Sequence, residues 1–303
     1  MTPAPFYLCG PTASGKSSLA IALAQRCNGE IVNADAYQLY QGLETITAAP
    51  SVEEQQIVPH HLYSVLSPSS TCDAQRYIEM AHPVIEDIID RGKTPIITGG
   101  SGLYLKFLTH GPAPLPTANA ELRLRLDAMS LDELLAELQK NDPADAARIE
   151  SQNRRYLTRS LEIFLLTGKP ASEQRDAWIT ASALKEQSLR GIFIQVPRDQ
   201  LHQRIEQRCK KMLDAGAIDE VQHLRHQLSD TSEKAIGIPQ IIAHLNGEID
   251  YATCLQKMIE ATRQYAKRQE TWFRKEKWLQ AIPLEKINSG NIIDELMATF
   301  FKS

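Results

Sequence analysis

The chain has 303 residues, 43% of them apolar, enough to bury one large core or a core with a smaller lobe. A net charge of -4 and a pI near 6.1 exclude a generally basic, nucleic-acid-coating protein and confine any polyanion contact to a local patch. The five cysteines are scattered without Cys-x-x-Cys or zinc spacing, and neither a signal peptide nor a bilayer-length apolar run is present, so a soluble cytoplasmic protein with reduced thiols and no membrane contact is expected.

Residues 5–10 (PFYLCG) are a short apolar run that stops on glycine and leads into the helical pattern SSLAIALAQRC: strand, loop, helix. EIVNAD is a second strand with a loop after Asp35, and KTPIITGG a third, stopping at paired glycines before SGLYLKFL. This alternation predicts an α/β fold with a parallel sheet covered on both faces and ligands at the C-terminal ends of its strands. The prolines of GPAPLPT at 111–117 break helix and strand alike and mark a hinge. From about 118 to 190 the segments AELRLRLDAM, LDELLAELQKN and RRYLTRSLEIFLLTG read as amphipathic helices, a helical insertion. LRGIFIQVP returns as a strand, HQRIEQRCKKMLDAG begins another helical stretch, a long helix covers about 251–276, and residues 278–303 add a weak strand and a helix. The expected division is a core of 1–113 and 191–303 around an insertion of 114–190.

Gly10, Pro11, Thr12, Ala13, Ser14, Gly15, Lys16 and Ser17 satisfy the P-loop pattern G-x-x-x-x-G-K-[ST] between a strand and a helix. Its glycines let backbone N–H groups turn inward, the helix N-terminus adds positive potential, Lys16 supplies a point charge, and the Ser17 hydroxyl can reach Mg²⁺. A nucleotide-binding phosphotransfer enzyme would also want a Walker-B acid, yet TPIIT ends in Gly99-Gly100-Ser101. That shifts weight from ATP toward a diphosphate held as ligand or leaving group, although Asp35 could serve a metal. Asp35, at the end of the second strand, reads as a general base or a metal-associated acid, or else as an Asx turn. Ser101 reads as a helix cap or as a donor to a departing phosphate oxygen. Arg263, Lys267 and Arg274 share a helical face with aromatics nearby, and Arg154, Arg155, Tyr156 and Arg159 repeat the pairing. Two such patches in an acidic chain suggest a polyanion larger than a nucleotide. His60 and His61 lack ligand spacing and read as turn or packing residues.

Together these stretches resemble the tRNA dimethylallyltransferase family: GPTASGKSSLA, EIVNADAYQLYQGL, VPHHL, GGSGLYLKFL, NRRYLTRSLEIF, RIEQRCKKML and TRQYAKRQETWFR occur in that order over nearly the whole chain. The resemblance implies a P-loop core with a helical insertion. It also implies transfer of a dimethylallyl group from dimethylallyl diphosphate to N6 of the adenosine 3′-adjacent to the anticodon, with Mg²⁺, by a cytoplasmic monomer that grips the tRNA anticodon stem-loop. On matching positions it implies that Lys16 and Arg208 neutralise the diphosphate, Ser17 helps hold Mg²⁺, and Ser101 donates to the leaving oxygen. Arg123 matches a further activity-related position, and Asp35 accepts the amino proton. Asp35, Ala36, Tyr37 and Gln38 would lie beside the flipped base, and Arg155, Tyr156, Leu157, Thr158, Arg159, Lys234, Gly237, Arg263, Lys267 and Arg268 would meet the tRNA. This chain departs from the family pattern at Ala36, at Ala49 within Thr47-Ala48-Ala49-Pro50, and at Gly237-Ile238-Pro239, where an aromatic and a basic residue are usual. Prenylation of free adenine nucleotides, an NTP-dependent kinase and a catalytically weakened RNA-binding relative are the competing expectations.

Overall fold

The computed structural model describes residues 3–149 and 152–301. Strands β1 (Phe6–Cys9), β2 (Gly29–Asn33), β3 (His60–His61), β4 (Thr94–Gly99), β5 (Arg190–Gln195) and β6 (Gln280–Pro283) form one parallel sheet in the order β3-β2-β4-β1-β5-β6. Between the first strands lie α1 (Lys16–Cys27), α2 (Glu44–Thr47), α3 (Val52–Ile57) and α4 (Ala74–Asp90), and α5 (Gly102–His110) follows β4. Five helices come before β5: α6 (Ala120–Asp127), α7 (Leu131–Asn141), α8 (Pro143–Arg148), α9 (Arg154–Thr167) and α10 (Ala171–Glu186). After β5 come α11 (Arg198–Asp214), α12 (Ala217–Leu224), α13 (Ile238–Leu245), α14 (Tyr251–Phe273), α15 (Leu284–Ile287) and α16 (Ile292–Phe300).

The chain separates into two compact units, Met1–Thr109 with Leu189–Ser303, and His110–Ser188. The α/β unit shows the parallel, doubly covered sheet that strand-helix alternation predicts: β1 is buried along its whole length between β4 and β5, with Phe6 opposite Ile96 and Arg190. The helical unit has its own core, in which Leu134, Leu138, Leu157 and Leu161 are fully buried. Helix boundaries follow local chemistry. Asp73 accepts the Arg76 N–H to cap α4, Asp250 accepts the Thr253 N–H to cap α14, Ser130 and Glu133 form a capping box on α7, and Asn28 (φ 52°) ends α1 in a left-handed turn. In α4 one-sided burial overrides the helix-breaking signal of Pro83.

The histidine pair is a strand rather than a turn. Its two residues are too few to show a period, but they pair with Ile31 and Val32, and His61 Nε2 lies 2.7 Å from Glu30 Oε2. The Glu30 carboxylate, only 2% exposed, also takes both Arg91 amines at 2.5 and 2.8 Å and Lys93 at 2.7 Å. The Arg91 guanidinium, helped by Lys93 and His61 against the opposing effect of burial, holds this carboxyl far below the usual range. Glu30 thus pins the beginning of β2, whose other end carries the candidate catalytic carboxylate. We expect Glu30→Gln to cost about 1–3 kcal/mol at neutral pH, measured by urea unfolding. Because folding lowers this pKa, the contribution is complete above the unfolded carboxylate value and is lost as pH falls below it, so the gap between wild type and variant should narrow from about pH 5 to pH 3.

Candidate active site at the strand ends

β1 stops at Cys9 and the chain turns through a loop into α1, with Ala13 (φ 63°) and Gly15 (φ 89°) left-handed and the Ser14 N–H returning to Pro11 O at 3.2 Å. Such turns gather backbone N–H groups into an anion-binding concavity at a helix N-terminus. Lys16 Nζ donates to Pro11 O at 3.3 Å. From α11, Arg204 reaches Ser14 O at 3.4 Å and Arg208 reaches Thr47 O at 3.2 Å. These residues, with Lys211, Ser17, Thr45 and Ala48, line a cleft of about 550 Å³. Ser14 also lines it, and its buried hydroxyl has no partner.

Among the described residues none of Lys16, Arg204, Arg208 and Lys211 is in an ion pair. Burial pushes the Lys16 ammonium down to about 8, opposed by the Asp35 charge and reinforced by Arg208. Burial also lowers Arg208, with Asp35 again opposing. Desolvated cations without carboxylate partners are poised for an anion. Arg204 was not among the expected residues; its signal is the i, i+4 spacing with Arg208, which puts both on one face of α11.

Asp35 follows β2 and is held by Asn33. Its N–H donates to Asn33 Oδ1 at 2.8 Å, and Asn33 Nδ2 donates to Asp35 O at 3.1 Å and Leu62 O at 2.9 Å. The Asx turn is present, with the Tyr37 N–H on Asp35 Oδ1 at 3.0 Å, yet it uses one oxygen only. Among the described residues Oδ2 has no hydrogen-bond donor. Gln38 points elsewhere, donating to Thr47 O and Ala48 O at 3.1 and 2.9 Å, so it steadies the segment on which Arg208 also rests. Ala36 and Tyr37 are partly buried against the core.

The third strand end is fixed by a residue that lies within the TRQYAKRQETWFR stretch but to which that stretch assigns no role. Gln269, 4% exposed on α14, accepts the Thr12 N–H at 2.8 Å and donates to Gly100 O at 3.0 Å. Gly100 has to be glycine, since a Cβ would overlap the Gln269 amide. The Ser101 N–H donates to Ala34 O at 3.1 Å, and the Ser101 hydroxyl, partly exposed, has no protein partner among the described residues. Ser101 O accepts the Leu105 N–H at the start of α5, but the hydroxyl makes no capping bond and is available to a ligand.

Beside the cationic cleft is a second cavity of about 60 Å³, whose lining combines the polar Thr12, Asp35, Tyr37 and Arg208 with the apolar Ile46, Met212 and Met258. The two spaces share Arg208 and Met212. Ser17 lines the cleft and Asp35 the cavity, and among the described residues Asp35 belongs to no cluster of three or more His, Cys, Asp or Glu ligands. The donor set accordingly suits Mg²⁺ only as an ion carried largely by a ligand's phosphates, with the exposed Ser17 hydroxyl as protein ligand.

The residues expected to meet RNA divide. On α14, Lys267 and Arg268 are exposed and line a groove with Trp272 and Lys275, and the Arg268 guanidinium lies 5.7 Å from the centre of the Tyr265 ring. Arg263 turns instead toward α11, 3.5 Å from Glu206, and Lys234 is exposed. Gly237 is buried behind Ile46 and Met258 and presents no surface. In the helical unit Arg155 and Tyr156 are exposed, whereas Leu157 is fully buried in that unit's core and Thr158 is 7% exposed, because successive residues of a helix cannot all face outward. Arg159 and Arg123 both hold the buried Glu162 carboxylate, Arg123 through two bonds of 3.1 and 3.2 Å, and their other edges line a cleft with Arg154 and Arg155.

The IPP transferase family model matches residues 38–276. A protein of Akkermansia muciniphila named tRNA dimethylallyltransferase is 40% identical over 291 residues, covering 95% of this chain and 96% of its own. Among solved structures, a tRNA delta(2)-isopentenylpyrophosphate transferase of Staphylococcus epidermidis superposes with a TM-score of 0.71 at 31% identity, covering 99% of each chain. A eukaryotic dimethylallyltransferase acting on tRNA superposes at 0.80 with 26% identity, covering 98% of this chain and 77% of that one.

The cleft makes two tests available by titration with inorganic diphosphate. Gln269→Leu leaves the Thr12 N–H and Gly100 O unpaired, and affinity should fall about tenfold or more, with about 1–3 kcal/mol of stability lost. An anion raises the Lys16 pKa, so above pH 8 binding must take up a proton; the affinity advantage of wild type over Lys16→Met should shrink by up to about tenfold per pH unit there and stay constant below pH 7.

Proposed function

The chain belongs to the tRNA dimethylallyltransferase family, and from that premise we propose that it moves a dimethylallyl group from dimethylallyl diphosphate to N6 of the adenosine 3′-adjacent to the anticodon, releasing diphosphate. The observation that carries the reading is the adjoining of a cationic cleft and an apolar cavity at Arg208 and Met212, with Asp35 lining the second. A diphosphate in the first puts its five-carbon tail in the second, and the allylic carbon at their junction beside the carboxylate.

The exocyclic amine of adenine is a weak nucleophile because its lone pair is delocalised into the ring, so attack and proton loss must be coupled. As N6 bonds to the allylic carbon and the carbon–oxygen bond breaks, Asp35 Oδ2 takes the amino proton, while Oδ1 stays on the Tyr37 N–H and keeps the carboxylate oriented. Lys16, Arg204 and Arg208 meet the charge that develops on the departing diphosphate, and the Ser101 hydroxyl donates to its oxygen. Ser17 would hold Mg²⁺, which when bound adds charge neutralisation at the leaving group.

The adenosine reaches Asp35 by leaving its stack, at a cost of a few kcal/mol for a loop nucleotide. The exposed Lys267 and Arg268 beside Trp272, and Arg155 and Tyr156 on the helical unit, supply backbone and stacking contacts to the anticodon stem-loop. The protein acts as a cytoplasmic monomer. A free adenine nucleotide would leave these surfaces without a role, and a kinase would be left without a Walker-B acid and with an unused cavity lined by Ile46, Met212 and Met258 adjoining its phosphate cleft.

Labelled dimethylallyl diphosphate offered with total tRNA, with AMP and with neither should label tRNA alone; label in AMP but not in tRNA overturns the reading. Asp35→Asn keeps the oxygen that accepts the Tyr37 N–H, so kcat should fall by about 10²–10⁴ while donor affinity holds within about threefold. Equal losses in both would remove Asp35 as the base.

A further inference from the structure

Part of the cavity lining is a wall of almost fully buried residues. Ile46 and Met258 are each 2% exposed, and Ala235 and Cys209 each 1%. Gly237 lies directly against this wall: at its φ of 103° a side chain would be strained, and a Cβ would lie 2.5 Å from Ile46 Cδ1 and 3.0 Å from Met258 Cε. The wall therefore stands on backbone, which does not yield as a neighbouring side chain would. Its position along the chain is also fixed. Glu220 on α12 accepts the N–H groups of Thr45 and Ile46 at 2.8 and 2.9 Å, and Gln38 holds the carbonyls of Thr47 and Ala48 at the other end of α2.

A water-sized group needs about 10–15 Å³ of the same measure, so 60 Å³ holds about four to six such groups, the size of a five-carbon chain and half that of a ten-carbon one. We infer that Ile46 and Met258, backed by Gly237, set the length of the prenyl chain and stop it at five carbons. The inference rests on the cavity's being the prenyl subsite of the proposed reaction. It assigns to Gly237 a place behind the donor, at a position where the sequence suggested contact with RNA. Met212 lines both the cavity and the cationic cleft and so is not assigned to the stop.

The test compares dimethylallyl and geranyl diphosphate as donors to total tRNA for wild type, Met258→Ala and Ile46→Ala, with melting temperatures recorded for each. Wild type should favour the five-carbon donor by about 100-fold or more, and each variant should narrow that ratio about tenfold by raising geranyl transfer above the wild-type rate. Ile46→Val, expected to move the ratio a few-fold in the same direction, takes the place of any alanine variant that does not fold. Dimethylallyl transfer with geranyl transfer unmoved in the folded variants overturns the wall alone, as does a wild type that uses both donors equally. Absence of dimethylallyl transfer by wild type overturns the underlying function instead.

Discussion

One side-chain amide ties together the loops on which the chemistry depends. Gln269 holds the P-loop through the Thr12 N–H and the β4 end through Gly100 O, across sequence separations of 257 and 169 residues. The Asp35 loop joins the same frame through backbone, with the Ala34 N–H on Thr98 O at 2.8 Å and Ala34 O accepting from Ser101. Each of these bonds contributes only about 1 kcal/mol net, but a buried partner left unpaired would cost about 1–3 kcal/mol, so the arrangement resists partial opening. The Gly10–Ser17 loop, Asp35 and Ser101 are therefore held at fixed spacing largely through backbone and the Gln269 amide. Among the described residues the Ser101 hydroxyl and Asp35 Oδ2 remain without a hydrogen-bond partner.

The electrostatics follow from that frame. Lys16 and Arg208 are drawn out of water with the charge of Asp35, beyond ion-pair distance, as the main offset to the cost, which is why burial lowers both pKa values. A site of this kind is unfavourable when empty and becomes favourable when a polyanion arrives, and it is arranged in advance for charge that grows as a bond to phosphate breaks. The apolar side chains of the adjoining cavity support the reading of the cradle as the holder of a leaving group. Triphosphate chemistry has no use for Ile46 and Met258 beside the phosphates, whereas an allylic tail has to be shielded from water until the acceptor attacks.

Much of this was legible in the sequence where the determinant is local. The P-loop could be read because its geometry is set by consecutive residues, and Asp35 because an apolar strand ending in a carboxylate points to the sheet's C-terminal edge. Asn33 orients Asp35 from two positions away, within the same EIVNAD stretch. Gln269 and Glu220 were not legible, since their roles exist only through contacts between segments far apart in the chain. The stretch from Arg155 to Arg159 shows the opposite error: read as one basic string it suggests a continuous surface, but helical periodicity sends Leu157 into the core beside Leu161 and leaves Arg155 and Tyr156 outside. Gly237 likewise reads as part of an RNA-facing loop until its neighbours Ile46 and Met258 are known.

The central claim is that the cradle holds what the reaction discards, with the transferred group in the adjoining cavity. A crystal structure with the unreactive thiolo analogue of dimethylallyl diphosphate tests it most directly. The account predicts the diphosphate against the Gly10–Ser17 loop between Lys16, Arg204 and Arg208, with the dimethylallyl group enclosed between Ile46 and Met258 and its first carbon facing Asp35. A diphosphate seated there with its tail in solvent, or a nucleoside ring in the cavity in its place, would contradict it.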